Sequence, residues 1–295
     1  MKKEILIIFL MCIAMLPSCT KEEPIEVVET HREIDTEKLA AQKSNLENRL
    51  ISIGLMYGWG QTDKSNLYHT PDDLDMIVLK DGYTNATQYQ LADLKSVKEK
   101  KATRVLAGVD LSVLADSTVP LPINPDSLIR LVKKYGLDGI SVQLPESDTV
   151  KTAYVTNYLK TIAAFAGKGT NYYLILENPL TRYAENFKNA NWVIRIHKSV
   201  DTPTLAGFTE SAQQWAAFKF VPGVDFSRKD LSGGFVDTEH FVAGGRPSMA
   251  IDICDWSAQN QGGIAFYHIE KNYTDIVNAV TFSTFRKALA KLYSK

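Results

Sequence analysis

The sequence predicts an α/β fold, a single (β/α)8 (TIM-type) barrel behind an export signal and a tether. Three observations carry this. Eight short apolar runs rich in β-branched residues alternate with stretches of helical period. They follow one another over about 250 residues without a break in composition, the usual size of one barrel. No G-x-G-x-x-G or G-x-x-x-x-G-K-[ST] loop follows an early run, which argues against the runner-up, a doubly wound nucleotide-binding sheet.

The chain starts "MKKEILIIFLMCIAMLPSC", a short basic end followed by an apolar run from Ile5 to Leu16. That run is too short to span a bilayer and reads as the core of a secretory signal. Its close, Leu16-Pro17-Ser18-Cys19, resembles the lipobox of bacterial lipoproteins. The resemblance implies cleavage after residue 18 and lipidation of Cys19, which would anchor the protein to a membrane. Residues 19–35, "CTKEEPIEVVETHREID", are charged, contain Pro24 and offer no apolar face, so they form a tether. Their start also resembles the acidic signal that sends lipoproteins of Bacteroidetes to the cell surface. Outer-membrane, surface-exposed placement is the expectation.

The remaining domain, 36–295, begins with a polar helical stretch running to residue 49. The expected strands are 51–58, 74–80, 104–111, 138–144, 172–177, 192–197, 217–226 and 262–269. Helical periods lie at 86–101, 125–136 and 152–169, and the run 273–295 is amphipathic through Ile276, Val280, Phe285 and Leu289. The segment 227–261 fits a long loop, an insertion with a helix, or a strand at "SMAIDIC".

The formal charge is −1, and it becomes −2 once Lys2, Lys3 and Glu4 leave with the signal. Such a chain has no general attraction to nucleic acid, and membrane contact is expected through the lipid alone. Of the three cysteines only Cys254 lies in the domain, so no disulfide framework supports it. No cofactor motif is present, and no H-x-x-x-H or H-E-x-x-H spacing points to a metal.

The fourth run carries the chemistry. It reads Asp138-Gly139-Ile140-Ser141-Val142-Gln143-Leu144-Pro145-Glu146. This resembles the fourth-strand signature of glycoside hydrolase family 18, the chitinases and endo-β-N-acetylglucosaminidases, in which Asp-Gly is followed by two aspartates and a catalytic Glu. The Asp-Gly and the apolar positions match. Ser141 and Gln143 stand at the two aspartates, and Pro145 stands at the acid. Glu146 comes one residue late, and one residue along a strand reverses the face. The family's acid protonates the leaving oxygen while the substrate's acetamido group attacks. Pro145 has no proton to give and Gln143 no charge to balance an oxazolinium cation. The resemblance therefore implies either a disarmed site or, with a bulge at Pro145, a Glu146 swung into the acid's place.

"IGLMYGWGQ", "FVPGVDF" and "CDWSAQNQGGIAFYHIEKNY" also resemble family-18-like lipoproteins of Bacteroidetes, which implies SusC/SusD-type uptake proteins as partners. The family's Tyr after the sixth strand has no counterpart in Ile196-His197-Lys198. Tyr57, Trp59, Trp256 and Tyr267 fall near strand ends, where aromatic faces suit sugar rings, and Gln143 and Asn178 would add directional hydrogen bonds. Glu177, His197 and Asp225 are polar strand ends that fit a metal or acid/base cluster less well, while His69, His240 and His268 read as surface or satisfied histidines. The expectation is a surface lipoprotein that binds N-acetylglucosamine-containing glycans, of the N-glycan or chitooligosaccharide type, without cutting them. The alternatives are an active endo-β-N-acetylglucosaminidase using Glu146 and a scaffold component of an uptake complex with no sugar site.

Overall fold

The computed structural model describes residues 34–115, 120–146, 151–185, 187–196, 204–227, 249–273 and 280–294. The signal, Cys19, nearly all of the tether, His197 and His240 lie outside the described residues.

Eight parallel strands close into a barrel in chain order: β1 (Ile51–Met56), β2 (Met76–Leu79), β3 (Arg104–Asp110), β4 (Gly139–Gln143), β5 (Tyr173–Glu177), β6 (Trp192–Ile196), β7 (Lys219–Asp225) and β8 (Gly263–Tyr267). Each expected run holds a strand. The lead-in contains helix α1 (Thr36–Gln42), and α2 (Gln88–Lys101), α3 (Pro125–Tyr135) and α4 (Thr152–Phe165) follow β2, β3 and β4. Local chemistry sets their ends. Thr87 and Gln90 cap α2 reciprocally, while Asn124 caps α3, which has Pro125 in its first turn and ends on Gly136 in the left-handed region.

Two helices were not expected, α5 (Thr181–Glu185) and α6 (Thr204–Gln214), whereas α7 (Met249–Asp252) lies in 227–261, where an insertion with a helix was one of the readings. The last corrects the idea of a strand at "SMAIDIC". The terminal helix α8 (Ser283–Leu292) is shorter than its apolar pattern. Phe282 adopts φ 55°, and its N–H turns back to the Tyr273 carbonyl, so this helix does not continue through Phe282; residues 274–279, Ile276 among them, lie outside the described residues.

Strand alternation builds two cores. Ile77, Val105, Ile140, Val142 and Phe266 pack outward against the helices. Ile53, Val78, Leu106, Ile175, Trp192 and Val221 fill the barrel itself. At β4 the register is unbroken on both sides, from Leu106 opposite Gly139 to Asp110 opposite Gln143, and from Gly139 opposite Tyr173 to Gln143 opposite Glu177. The ladder continues with the Leu144 N–H donating to the Glu177 carbonyl at 2.9 Å. Gly139 is required there, because a Cβ would sit 2.2 Å from the Tyr173 carbonyl oxygen.

Candidate functional site

Because inward positions recur every second residue, the top of the barrel is lined by Lys80 just beyond β2, Asp110, Gln143, Glu177, Asp225 and Tyr267, with Tyr57 just beyond β1. Glu177 is at the centre and fully buried. Lys80 Nζ donates to its Oε2 at 2.8 Å and its Oε1 at 3.0 Å, and also to Gln143 Oε1 at 3.0 Å. Ser141 Oγ donates to Oε1 at 2.7 Å, and the Tyr267 hydroxyl to Oε2 at 3.1 Å. Both charges are shielded, the Lys80 side chain being 3% exposed and that of Glu177 0%. Burial, reinforced by the Glu177 charge, holds the Tyr267 phenol protonated well above its usual range. A carboxylate that accepts four hydrogen bonds from three charged or polar donors is an anchor.

The two positions at which family 18 has aspartates thus serve this anchor: Ser141 supports Glu177, and Gln143 supports Lys80. Pro145 is buried and Glu146 is exposed, past the end of a ladder that stays regular through Leu144. No bulge within β4 turns Glu146 towards Glu177.

At the rim, Tyr57 and His268 stack face to face, with centroids 3.9 Å apart and planes within 8°. His268 Nδ1 lies 2.8 Å from Asp225 Oδ1, which also accepts from the Ser227 N–H at 2.9 Å and its hydroxyl at 2.7 Å. Burial works to raise the Asp225 pKa, but the hydrogen bonds from His268 and Ser227 outweigh it and hold the carboxyl below its usual range. Tyr57, through its backbone N–H, donates to Glu270 at 3.2 Å. Burial, then the Glu177, Asp225 and Asp110 charges, raise the Tyr57 phenol pKa. Burial likewise raises that of Glu270.

Several expected ligand contacts lie elsewhere. Trp59 is 1% exposed and donates from its indole N–H to Asp93 of α2 at 2.9 Å. Gly58 and Gly60, at φ 66° and 71°, bend the chain so that this ring turns under the helix layer. Trp256 is 4% exposed, packed edge-on to Phe208 and Phe220, with its indole bonded to Thr209 of α6. Asn178 is buried in the left-handed conformation, its side-chain carbonyl accepting the Ile196 N–H at 3.0 Å. Tyr267 is occupied with Glu177. Tyr57 and Gln143 remain partly open. Lys80 and the roles of His268 and Asp225 were missed. For Lys80 the signal was present, since it continues the inward parity of Met76 and Val78. Among the described residues, no group of three or more His, Cys, Asp or Glu side chains is arranged to hold a metal ion.

No family model matches the chain, and no curated protein matches it. Solved structures do share its fold. BT1044 superposes with a TM-score of 0.61 at 16% identity, over 91% of this chain and 97% of that one. A chitinase from Bacteroides thetaiotaomicron gives 0.56 at 12% identity, over 84% and 99%. YKL-39, solved in the presence of chitooligosaccharides (GlcNAc4), gives 0.52 at 11% identity, over 82% and 99%. The chain shares with these structures, a chitinase among them, the closed eight-stranded barrel fold.

Proposed function

We propose that this protein binds N-acetylglucosamine-containing glycans at the mouth of its barrel and does not hydrolyse them. One observation carries this reading. The inward positions of β4 hold Ser141 and Gln143 with Pro145 next, and the central carboxylate, Glu177, is locked by Lys80, Ser141 and Tyr267. Hydrolysis by the family's route needs a free acid beside the scissile oxygen and a negative charge beside the forming oxazolinium. Neither is supplied by those positions. A polar, partly aromatic mouth with Tyr57, His268, Asp110 and Gln143 still suits a neutral, hydroxyl-rich ligand. YKL-39, with its chitooligosaccharides, gives the ligand class its precedent on this fold.

In the same reading, Cys19 carries the lipid, the tether holds the barrel off the outer membrane, and SusC/SusD-type uptake proteins receive the captured glycan. The test is calorimetric titration with N-glycans and chitooligosaccharides, run beside an assay for released sugar. Measurable affinity without release is expected. Release abolished by Glu146→Gln would instead establish the hydrolase, and absence of binding across the panel would favour a scaffold.

A further inference from the structure

His268 is built as a directed acceptor. The Asp225 carboxylate, held by Ser227, can only accept, so the proton of the neutral ring sits on Nδ1, 2.8 Å away. That leaves the Nε2 lone pair uncommitted: among the described residues no hydrogen bond is made to it, and the side chain is 25% exposed. Tyr57, stacked at 3.9 Å, fixes the ring plane. The backbone is strained to allow this. His268 adopts φ 53°, ψ 47°, a left-handed conformation that is unfavourable for a non-glycine residue. Meanwhile the acceptors on β4 are engaged, since the Gln143 carbonyl takes Lys80.

We propose that His268 Nε2 accepts the acetamido N–H of an N-acetylated sugar, and that Asp225 is its positioning residue. The inference rests on the glycan reading for the class of ligand and adds the group that selects it. An amide N–H can only donate, so it meets the neutral ring and is repelled by the protonated one, whose Nε2 also donates. The charged and titratable groups facing His268 are Asp225 from β7, Tyr57 from the end of β1, and Glu270 with Lys271 on the turn that follows β8.

Chitotetraose affinity, measured on the intact chain at about pH 7.5 and about pH 5, tests this. The wild type is expected to lose about tenfold or more in affinity at the lower pH. Asp225→Asn preserves shape but lets the amide donate to Nδ1, moving the ring proton to Nε2. It should weaken binding at both pH values, with the tautomer change visible in imidazole 15N shifts. His268→Phe should bind weakly with no pH dependence. A cello-oligosaccharide, which lacks the acetamido group, should show no such pH dependence in the wild type. Equal chitotetraose affinity at both pH values and in Asp225→Asn would overturn the proposal and leave glycan binding intact. No binding at either pH would remove the glycan reading and the proposal together.

Discussion

The barrel buries a lysine at each end, and the two are held in opposite ways. At the mouth, Lys80 meets a carboxylate, and Glu177 neutralises it at 2.8 Å. At the floor, Lys43 beside α1 is 2% exposed and, among the described residues, has no carboxylate in hydrogen-bond reach. It donates instead to the carbonyls of Asp72, Leu74 and Lys101 at 2.6, 2.7 and 2.9 Å, and to Thr103 Oγ1 at 3.1 Å. Burial pushes its pKa down to about 8, with only partial relief from Asp75 and Asp73. The difference shows what each end is for. The floor lysine ties the loops before β2 and β3 into a plug. The mouth pair fixes the centre of the proposed glycan site.

Breaking the mouth pair should have the largest effect. Glu177→Leu leaves the Lys80 charge buried alone and should cost about 3–5 kcal/mol in denaturant unfolding. Adding Lys80→Met should recover most of that loss, because the pair offsets its own desolvation and contributes little net stability. If the double variant is no better than the single one, the pair is not the unit described.

The floor should answer to pH instead. Below about pH 8 the folded protein carries a buried charge that the unfolded chain keeps in water. Between about 8 and the usual lysine value near 10.4 the unfolded state binds more protons, so stability should rise with pH, by up to about 3 kcal/mol. Above about pH 10 the buried tyrosines, Tyr57 and Tyr267 among them, reverse the slope, because they ionise more readily unfolded. Lys43→Met should reduce the rising limb, leaving the part due to Lys101, whose pKa burial also lowers, and thermal or urea unfolding across this range would record the change. At neutral pH the same variant leaves three carbonyls short of donors and should cost about 1–3 kcal/mol.

A smaller effect belongs to Asp225. Its carboxyl is held below the usual range, so its stabilising contribution is present above the ordinary aspartate pKa and fades as pH falls through the depressed value. Asp225→Asn should flatten that part of the acid limb of unfolding. The smallest effect belongs to Glu146, exposed and past the ladder. Glu146→Gln should shift stability by less than about 0.5 kcal/mol and leave glycan affinity unchanged.

The eight strands were legible because their apolar, β-branched runs have the right length and spacing, and their alternation also told which side chains enter the barrel. Parity alone set Glu146 apart from Ser141 and Gln143. The short helix α5 escaped because five residues give no periodic signal. Trp59 and Trp256 misled because an aromatic near a strand end looks the same whether the following turn aims it at the mouth or under a helix. Only the positive φ at Gly58 and Gly60 decides that for Trp59. The Lys80–Glu177 pair joins β2 to β5, and no local pattern encodes a contact across 97 residues.

The most direct test of the central claim is a native mass-spectrometric time course of the protein with chitotetraose. The expected spectrum shows the complex at the mass of protein plus intact glycan, unchanged over hours. Loss of that species to shorter oligosaccharides, in a protein whose β4 carries Ser141, Gln143 and Pro145, would contradict it.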